Sequence, residues 1–564
     1  EGCVEAMWAA GVALPLAALS ARVVPPAAPV PLNGIAEWSL RFNETEVPAL
    51  AAHRDAPTLG VWESVNISLE VTVPAGARRY NATIRGFYYA AGEWRVRAAL
   101  RAFGVHQYNL TAVAGNTTLH ASTGTVQCLT TATPQNYSVG PRGFLRPRFS
   151  VPPYRTAYED GTLFTGLGLG DCLSDNLTWV TFNETDHTQY LRSLAQYTAD
   201  YGTAGFNMFR WSNGNCAWRI EKSFDSSVLP KWRPVGNVYN ETLVLLLDRL
   251  FDTFRAEGFS MWAVPFAKDT KEPIFPKMAM SNTTWHMSQQ QAIERHLQFV
   301  VARWGAQTDV WSLLNEQRAD STWLAFAARY LRSIDPYGHP VTSSWNDHLN
   351  MSEIEIDSVH WYYSGPTTQS DTAMAAQVHT ELAHGKPVYF TESGNRAHNW
   401  DPDSHTRMRL RAWTAFFTAA NLLWWNTAGT RNCHPCGGGN MYLGPVERGY
   451  NGVLRAFADR MRDPSVAAVT VHADSEVNAY GLQGAASTGG QLILAYATHA
   501  TNHTTNITTT LAVPAAGGCA GSWVVPTDGS EIGVTVPAGS GSASLTSPPF
   551  AVDIALQLKC PGHW

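Results

Sequence analysis

In VWSLLNEQ, residues 310–317, four apolar residues run into Asn315 and Glu316 with no turn residue between them. A short apolar run of this kind reads as a strand buried on both faces. Seven similar runs lie between about residues 150 and 460: TLFTGLGL (162–169), GFNMFRW (205–211), FSMWAVPF (259–266), PVTSSW (340–345), IDSVHWY (356–362), PVYFTE (387–392) and NLLWWN (421–426). Amphipathic stretches alternate with several of them, such as ETLVLLLDRLFDTFRAEG (241–258) and QQAIERHLQFVVARWG (290–305). Eight strands alternating with helices over this length predict a (β/α)8 barrel. The alternative, a doubly wound open sheet, should carry a G-x-G-x-x-G turn after an early strand; GLGLGD (166–171) lacks that spacing.

On either side the pattern changes. ISLEVTVPAG (67–76) and EWRVRAAL (93–100) alternate apolar and polar residues; near the other end helical periodicity disappears, Gly, Ser, Thr and Val dominate, and GGQLILAYAT (489–498) and FAVDIALQLK (550–559) read as strands. The predicted fold class is therefore α/β: a (β/α)8 barrel at 149–462, an N-terminal β-sandwich at 1–148 and a smaller C-terminal β-sandwich at 463–564. A chain of 564 residues is long enough for several cores.

Composition narrows the function classes. A net charge of −6 gives no basic stripe and argues against a nucleic-acid partner. Twenty-one tryptophans exceed what cores usually need, and indole faces stack on sugar rings. About thirteen N-x-S/T sequons, among them Asn43, Asn66, Asn81, Asn109, Asn136, Asn183, Asn282, Asn350 and Asn502, predict N-linked glycans and passage through the secretory pathway. The expected location is secreted, extracellular or cell-surface, with a lysosome-like compartment as an alternative. Eight cysteines pair by region as Cys3–Cys128, Cys172–Cys216, Cys433–Cys436 and Cys519–Cys560. CHPC (433–436) has no second CxxC to complete a zinc site. The opening EGCVEAMWAAGVALPLAAL reads as a mature N-terminus, and no stretch is long and apolar enough to span a bilayer.

Polar residues at the C-terminal ends of barrel strands line the functional face of this fold. The runs place Arg210 at the second such end, Asn315 and Glu316 at the fourth, His360 and Tyr362 at the sixth, Glu392 at the seventh and Trp424 with Trp425 at the eighth. Two carboxylates across one barrel mouth are what glycoside hydrolysis needs, one to give a proton and one to attack or to activate water. Arg210 would hold its partner carboxylate ionised, while mutual repulsion raises the other. No metal and no cofactor is expected: His and Asp are too sparse around HWYY (360–363) and NDH (346–348), and no G-x-S-x-G turn supports a serine hydrolase.

These residues together resemble clan A of the retaining glycoside hydrolases, nearest the cellulase- and mannanase-like family five. The resemblance rests on NE closing the fourth strand, Glu closing the seventh, H-x-Y on the sixth and Trp on the eighth. It implies Glu316 as acid/base, Glu392 as nucleophile and Asn315 as the residue that bonds the sugar 2-hydroxyl. It further implies that Tyr362 contacts the nucleophile and that Trp425 floors the −1 subsite of a carbohydrate-binding cleft. RGFYYAAGEWRVRAAL (85–100), ARWG (302–305), DPYGHPVTSSW (335–345) and PPFAVDIALQL (548–558) are similar to segments of one multidomain subgroup. The family's usual His after the third strand has no counterpart in AVPFAKDT (263–270). The competing expectation is an inactive carbohydrate-binding or cell-surface scaffold on the same barrel.

Overall fold

The computed structural model describes residues 23–26, 29–51, 63–74, 79–129, 142–148, 154–170, 178–182, 189–212, 220, 239–266, 287–316, 321–344, 349–363, 365–395, 403–425, 443–464, 466–485, 490–515, 518–537 and 542–561. It divides into two compact units, one of residues 1–136 with 298–306 and 334–337, the other of 137–297, 307–333 and 338–564.

The first unit is a β-sandwich of a four-stranded and a five-stranded sheet. Its strand Ile35–Arg41 shows why: Ala36, Trp38 and Leu40 are buried in alternation with more exposed neighbours. Trp38 and Trp94 from one sheet meet Leu69 and Leu110 from the other in a single apolar cluster.

The second unit holds eight parallel strands in a nearly closed barrel. In chain order they are β1 (Leu167–Gly170), β2 (Met208–Ser212), β3 (Ser260–Val264), β4 (Val310–Asn315), β5 (Val341–Ser344), β6 (Asp357–Tyr363), β7 (Val388–Asn395) and β8 (Ala420–Trp424). Hydrogen bonding runs β5-β4-β3-β2-β1-β8-β7-β6, so β1 joins β8, every strand but β5 pairs with the next in sequence, and the seam left open lies between β5 and β6. Every residue of β3, β4 and β8 is buried. One face packs inward, where Met208, Trp262, Val264, Val310, Tyr389 and Leu423 fill the barrel, and the other packs on helices.

The helices are α1 (Leu194–Thr203), α2 (Glu241–Ala256), α3 (Met287–Trp304), α4 (Ser321–Ile334), α5 (Ser370–Leu382), α6 (Ser404–Phe417) and α7 (Pro445–Ala458). In α2, Val244, Leu247, Leu250, Phe251 and Phe254 recur on one buried face, and the Asn240 side chain caps the start by accepting from the Leu243 amide. Ser193 and Gln196 form a capping box at α1.

The same unit ends in a second sandwich, a six-stranded sheet with a two-stranded one, joined around Ile493, Leu511, Val513, Trp523, Leu556 and Leu558. The Cys519–Cys560 disulfide expected from the sequence is present. Cys3, Cys172, Cys216, Cys433 and Cys436 lie outside the described residues, and Cys128 is buried as a free thiol that desolvation pushes up to about 11.

This sandwich is locked to the barrel by two buried carboxylates. Asp553 accepts from Arg409 of α6 through Nε (3.0 Å) and Nη2 (2.8 Å), and from the Tyr496 hydroxyl at 2.9 Å. Asp371 of α5 accepts from Thr498, Asn478 and Tyr480 at 2.6, 3.0 and 3.1 Å. Removing one partner of a buried ion pair typically costs about 3–5 kcal/mol, because the other is left uncompensated. Arg409→Ala should therefore lower unfolding stability by that amount in urea denaturation, whereas Arg460→Ala, which removes a partly exposed partner of Glu531, should cost under ~1 kcal/mol.

Candidate active site

The polar strand ends gather at the C-terminal mouth of the barrel. Arg210 continues the inward face of β2 two residues beyond Met208 and is essentially buried, at 1 % exposed. Its guanidinium donates to Glu392 Oε1 at 3.0 Å and to Asn315 Oδ1. Tyr362 donates its hydroxyl to the other Glu392 oxygen at 2.6 Å. Burial first, then the Glu392 charge, pushes the Tyr362 phenol far above its ordinary value, so it stays a donor. His360 Nδ1 lies 3.0 Å from Glu316 Oε1 and 3.3 Å from Glu392 Oε2, bridging the two carboxylates.

Simple alternation along a strand would not produce this arrangement. On β7, Ser358 and Val359 of β6 pair with Tyr389 and Phe390, but His360 pairs with Glu392, skipping Thr391. The other neighbour agrees: Leu422 pairs with Phe390 and Trp424 with Ser393. Thr391 is thus an extra residue, a bulge that restores Glu392 to the inward face that alternation from Tyr389 would deny it. Thr391 stays on that face as well, within 2.7 Å of the Ser358 hydroxyl. The fourth strand repeats the device, with a register shift between Ser312 and Asn315 opposite Thr342 and Ser344. Both glutamates follow a bulge.

Glu316 has a second peculiarity. Its φ is +47°, in the left-handed region where residues other than glycine are uncommon and strained. Ser344, at the end of β5, secures it: the Ser344 Oγ accepts from the Glu316 amide at 3.0 Å and donates to the Leu314 carbonyl at 2.8 Å. The VTSS run (341–344) offered a polar strand end, yet the sequence reading did not single Ser344 out.

The two tryptophans part company. Trp425 donates its amide to the Ser393 carbonyl at 2.9 Å, and its ring lies so close to Gly170 that a β-carbon there would collide with it. Trp424 faces the other way, into the layer between β8 and the helices, with the Arg411 guanidinium 5.3 Å from its ring centroid and Met408 and Asn451 lining the same small cavity. Arg210, Asn315, Glu316, His360, Tyr362 and Glu392 therefore come together, Trp425 sits beside β1 and β7, and Trp424 is not part of the cluster.

One oxygen from each glutamate and one nitrogen of His360 lie within 4.8 Å of one another, close enough to ligate a cation. The Arg210 guanidinium and the Tyr362 hydroxyl already occupy both Glu392 oxygens, and a full positive charge beside them disfavours a metal ion. Glu392 is almost buried, its side chain 5 % exposed, whereas that of Glu316 is 23 % exposed. A buried carboxylate held between a cation and a hydroxyl can attack; a more accessible one can exchange protons with a departing group and with water.

No family model matches the chain, and no curated protein matches it. Solved structures do. A Bacteroides vulgatus protein provisionally named a glycoside hydrolase aligns over 94 % of this chain and 100 % of its own, with a TM-score of 0.63 at 14 % identity. A family 39 glycoside hydrolase from Bacteroides cellulosilyticus aligns over 89 % of this chain and 96 % of its own (TM-score 0.43, 11 % identity). A family 30 endoxylanase from Clostridium papyrosolvens covers 71 % of this chain over 98 % of its own (TM-score 0.36, 14 % identity). At such identities the likeness is one of fold.

Proposed function

We propose that this protein is a retaining β-glycoside hydrolase that cleaves O-glycosidic bonds in a polysaccharide or glycoconjugate. The observation that carries the proposal is the proximity of the Glu316 and Glu392 carboxylates, with oxygens within 4.8 Å of each other at the barrel mouth. Retaining enzymes hold their two carboxyl groups about 5–5.5 Å apart, whereas inverting enzymes need about 6.5–9.5 Å to admit water between them.

In the first step a Glu392 oxygen attacks the anomeric carbon while Glu316 delivers its proton to the departing glycosidic oxygen, leaving a glycosyl ester on Glu392. In the second, Glu316 takes a proton from water, the hydroxide attacks the same carbon, and Glu392 leaves as a carboxylate. Arg210 and Tyr362 stabilise that carboxylate before attack and after release. Asn315, tethered by Arg210, would bond the sugar 2-hydroxyl, and Trp425 would form the floor beneath the ring.

An aryl β-glycoside panel followed by proton NMR tests the assignment. The first-formed sugar should be the β-anomer. Release of the α-anomer would indicate inversion, and no turnover across the panel would favour the inactive scaffold.

The proposal extends to a secreted glycoprotein. Among the described residues no helix is long and apolar enough to cross a membrane. Asn43, Asn66, Asn81, Asn109 and Asn350 are all exposed. Intact-glycopeptide mass spectrometry of the natural protein should find most of these five carrying glycans; bare asparagines at most of them would remove the secretory assignment.

A further inference from the structure

A second cluster of ligating side chains lies at the opposite end of β6 from the proposed active site. Asp357 opens that strand, Glu381 sits in the last turn of α5, and His384 is in the short connection from α5 to β7. His360 lies three positions along the strand from Asp357, about 10 Å of chain. The N-terminal face of such a barrel is associated with stability rather than chemistry.

His384 Nδ1 lies 3.0 Å from Asp357 Oδ2 and 3.5 Å from Glu381 Oε2, and the three ligand atoms fall within 4.8 Å of one another. A tetrahedral ion with bonds of about 2.0–2.1 Å holds its ligand atoms roughly 3.3–3.4 Å apart, between those two separations. The remaining Asp357 oxygen supplies an independent sign. Asp357 is 0 % exposed, yet its Oδ1 has no hydrogen-bond partner among the described residues. Asp357 and Glu381 are hydrogen-bonded to each other, and two carboxyls buried side by side are costly unless a shared proton or a cation neutralises them.

The nearby lysine does not close this gap. Lys386 Nζ donates to the Met351 carbonyl at 2.9 Å and to the Ile354 carbonyl at 2.5 Å, aimed at backbone rather than at the two acids. Gln377 donates to Glu381 Oε1 at 2.6 Å, orienting that carboxylate from behind as an outer partner of a metal ligand does.

We propose that Asp357, Glu381 and His384 bind one divalent transition-metal ion of the zinc type, as a structural clip joining β6, α5 and the start of β7. The donor set selects the ion class. An imidazole with two carboxylates suits zinc-like ions, whereas calcium takes six to eight oxygen ligands and this cluster offers far fewer. A water would complete a tetrahedron through the opening at His384, whose side chain is 31 % exposed. The clip is independent of the proposed glycosidase.

The test titrates chelator-stripped, full-length protein with zinc chloride alone, read by calorimetry and thermal unfolding. The expected result is one zinc per chain and a midpoint raised by about 2 °C at a hundredfold excess over Kd. Cobalt(II) at the same site should give the strong visible absorption of a tetrahedral ion. His384→Asn and Glu381→Gln should each weaken zinc at least tenfold, and His360→Asn, at the barrel mouth, should leave it unchanged. Wild type that binds no zinc, undiminished binding in both His384→Asn and Glu381→Gln, or loss in His360→Asn instead would each overturn the assignment.

Discussion

Glu392→Gln is expected to abolish turnover, by about 10⁵-fold in kcat on every substrate, activated or not. The amide has the shape of the carboxylate but cannot form a glycosyl ester, so no leaving group, however good, rescues the first step. Arg210 makes the substitution severe in a second way. Its side chain is 0 % exposed and its Nη1 is paired to Glu392 at 3.0 Å, so a neutral partner leaves a buried cation uncompensated. Denaturant unfolding should accompany the kinetics, to separate lost chemistry from lost folding. A folded Glu392→Gln protein retaining more than about one per cent of wild-type kcat would sink the nucleophile assignment.

Glu316→Gln should fail differently. A general acid contributes about 10²–10⁴-fold, and that loss should fall on substrates whose leaving oxygen needs a proton. A dinitrophenyl β-glycoside needs almost none, so the enzyme should still be glycosylated, in a rapid burst, and then stall for want of a base to activate water. Azide needs no base. It should restore turnover and yield a β-glycosyl azide, whose configuration reports the double displacement directly. Equal loss in the two variants with no azide product would contradict the division of roles.

Much of this arrangement could be read from the chain because parallel barrel strands are buried on both faces and so appear as short apolar runs. Each of the eight runs contains or overlaps a barrel strand; DVWSLLN became β4 with only Asp309 left outside it. The polar strand ends were equally visible, since Arg210, Asn315, Glu316 and Glu392 each interrupt such a run. Direction was not. Adjacent strand residues point to opposite faces, so Trp424 and Trp425 could not both line one cleft, and nothing in WW says which does. The left-handed backbone at Glu316 was also hidden, because a glycine would announce it and a glutamate does not. The buried carboxylates that lock the second sandwich, Asp371 and Asp553, arise from pairing over more than a hundred residues in each case, beyond any local pattern.

The bulge at Thr391 is one residue inserted into an otherwise regular pairing. Deleting that one threonine would place the glutamate directly after Phe390, where plain alternation turns it inward, opposite His360 as before. The pairing of Ser393 with Trp361, and of the residues beyond, would be kept. A lineage could thus gain or shed this residue through a single in-frame codon while its carboxylate stays at the barrel mouth. An alignment of such a descendant would show a one-residue gap beside the proposed nucleophile and an unchanged set of site residues.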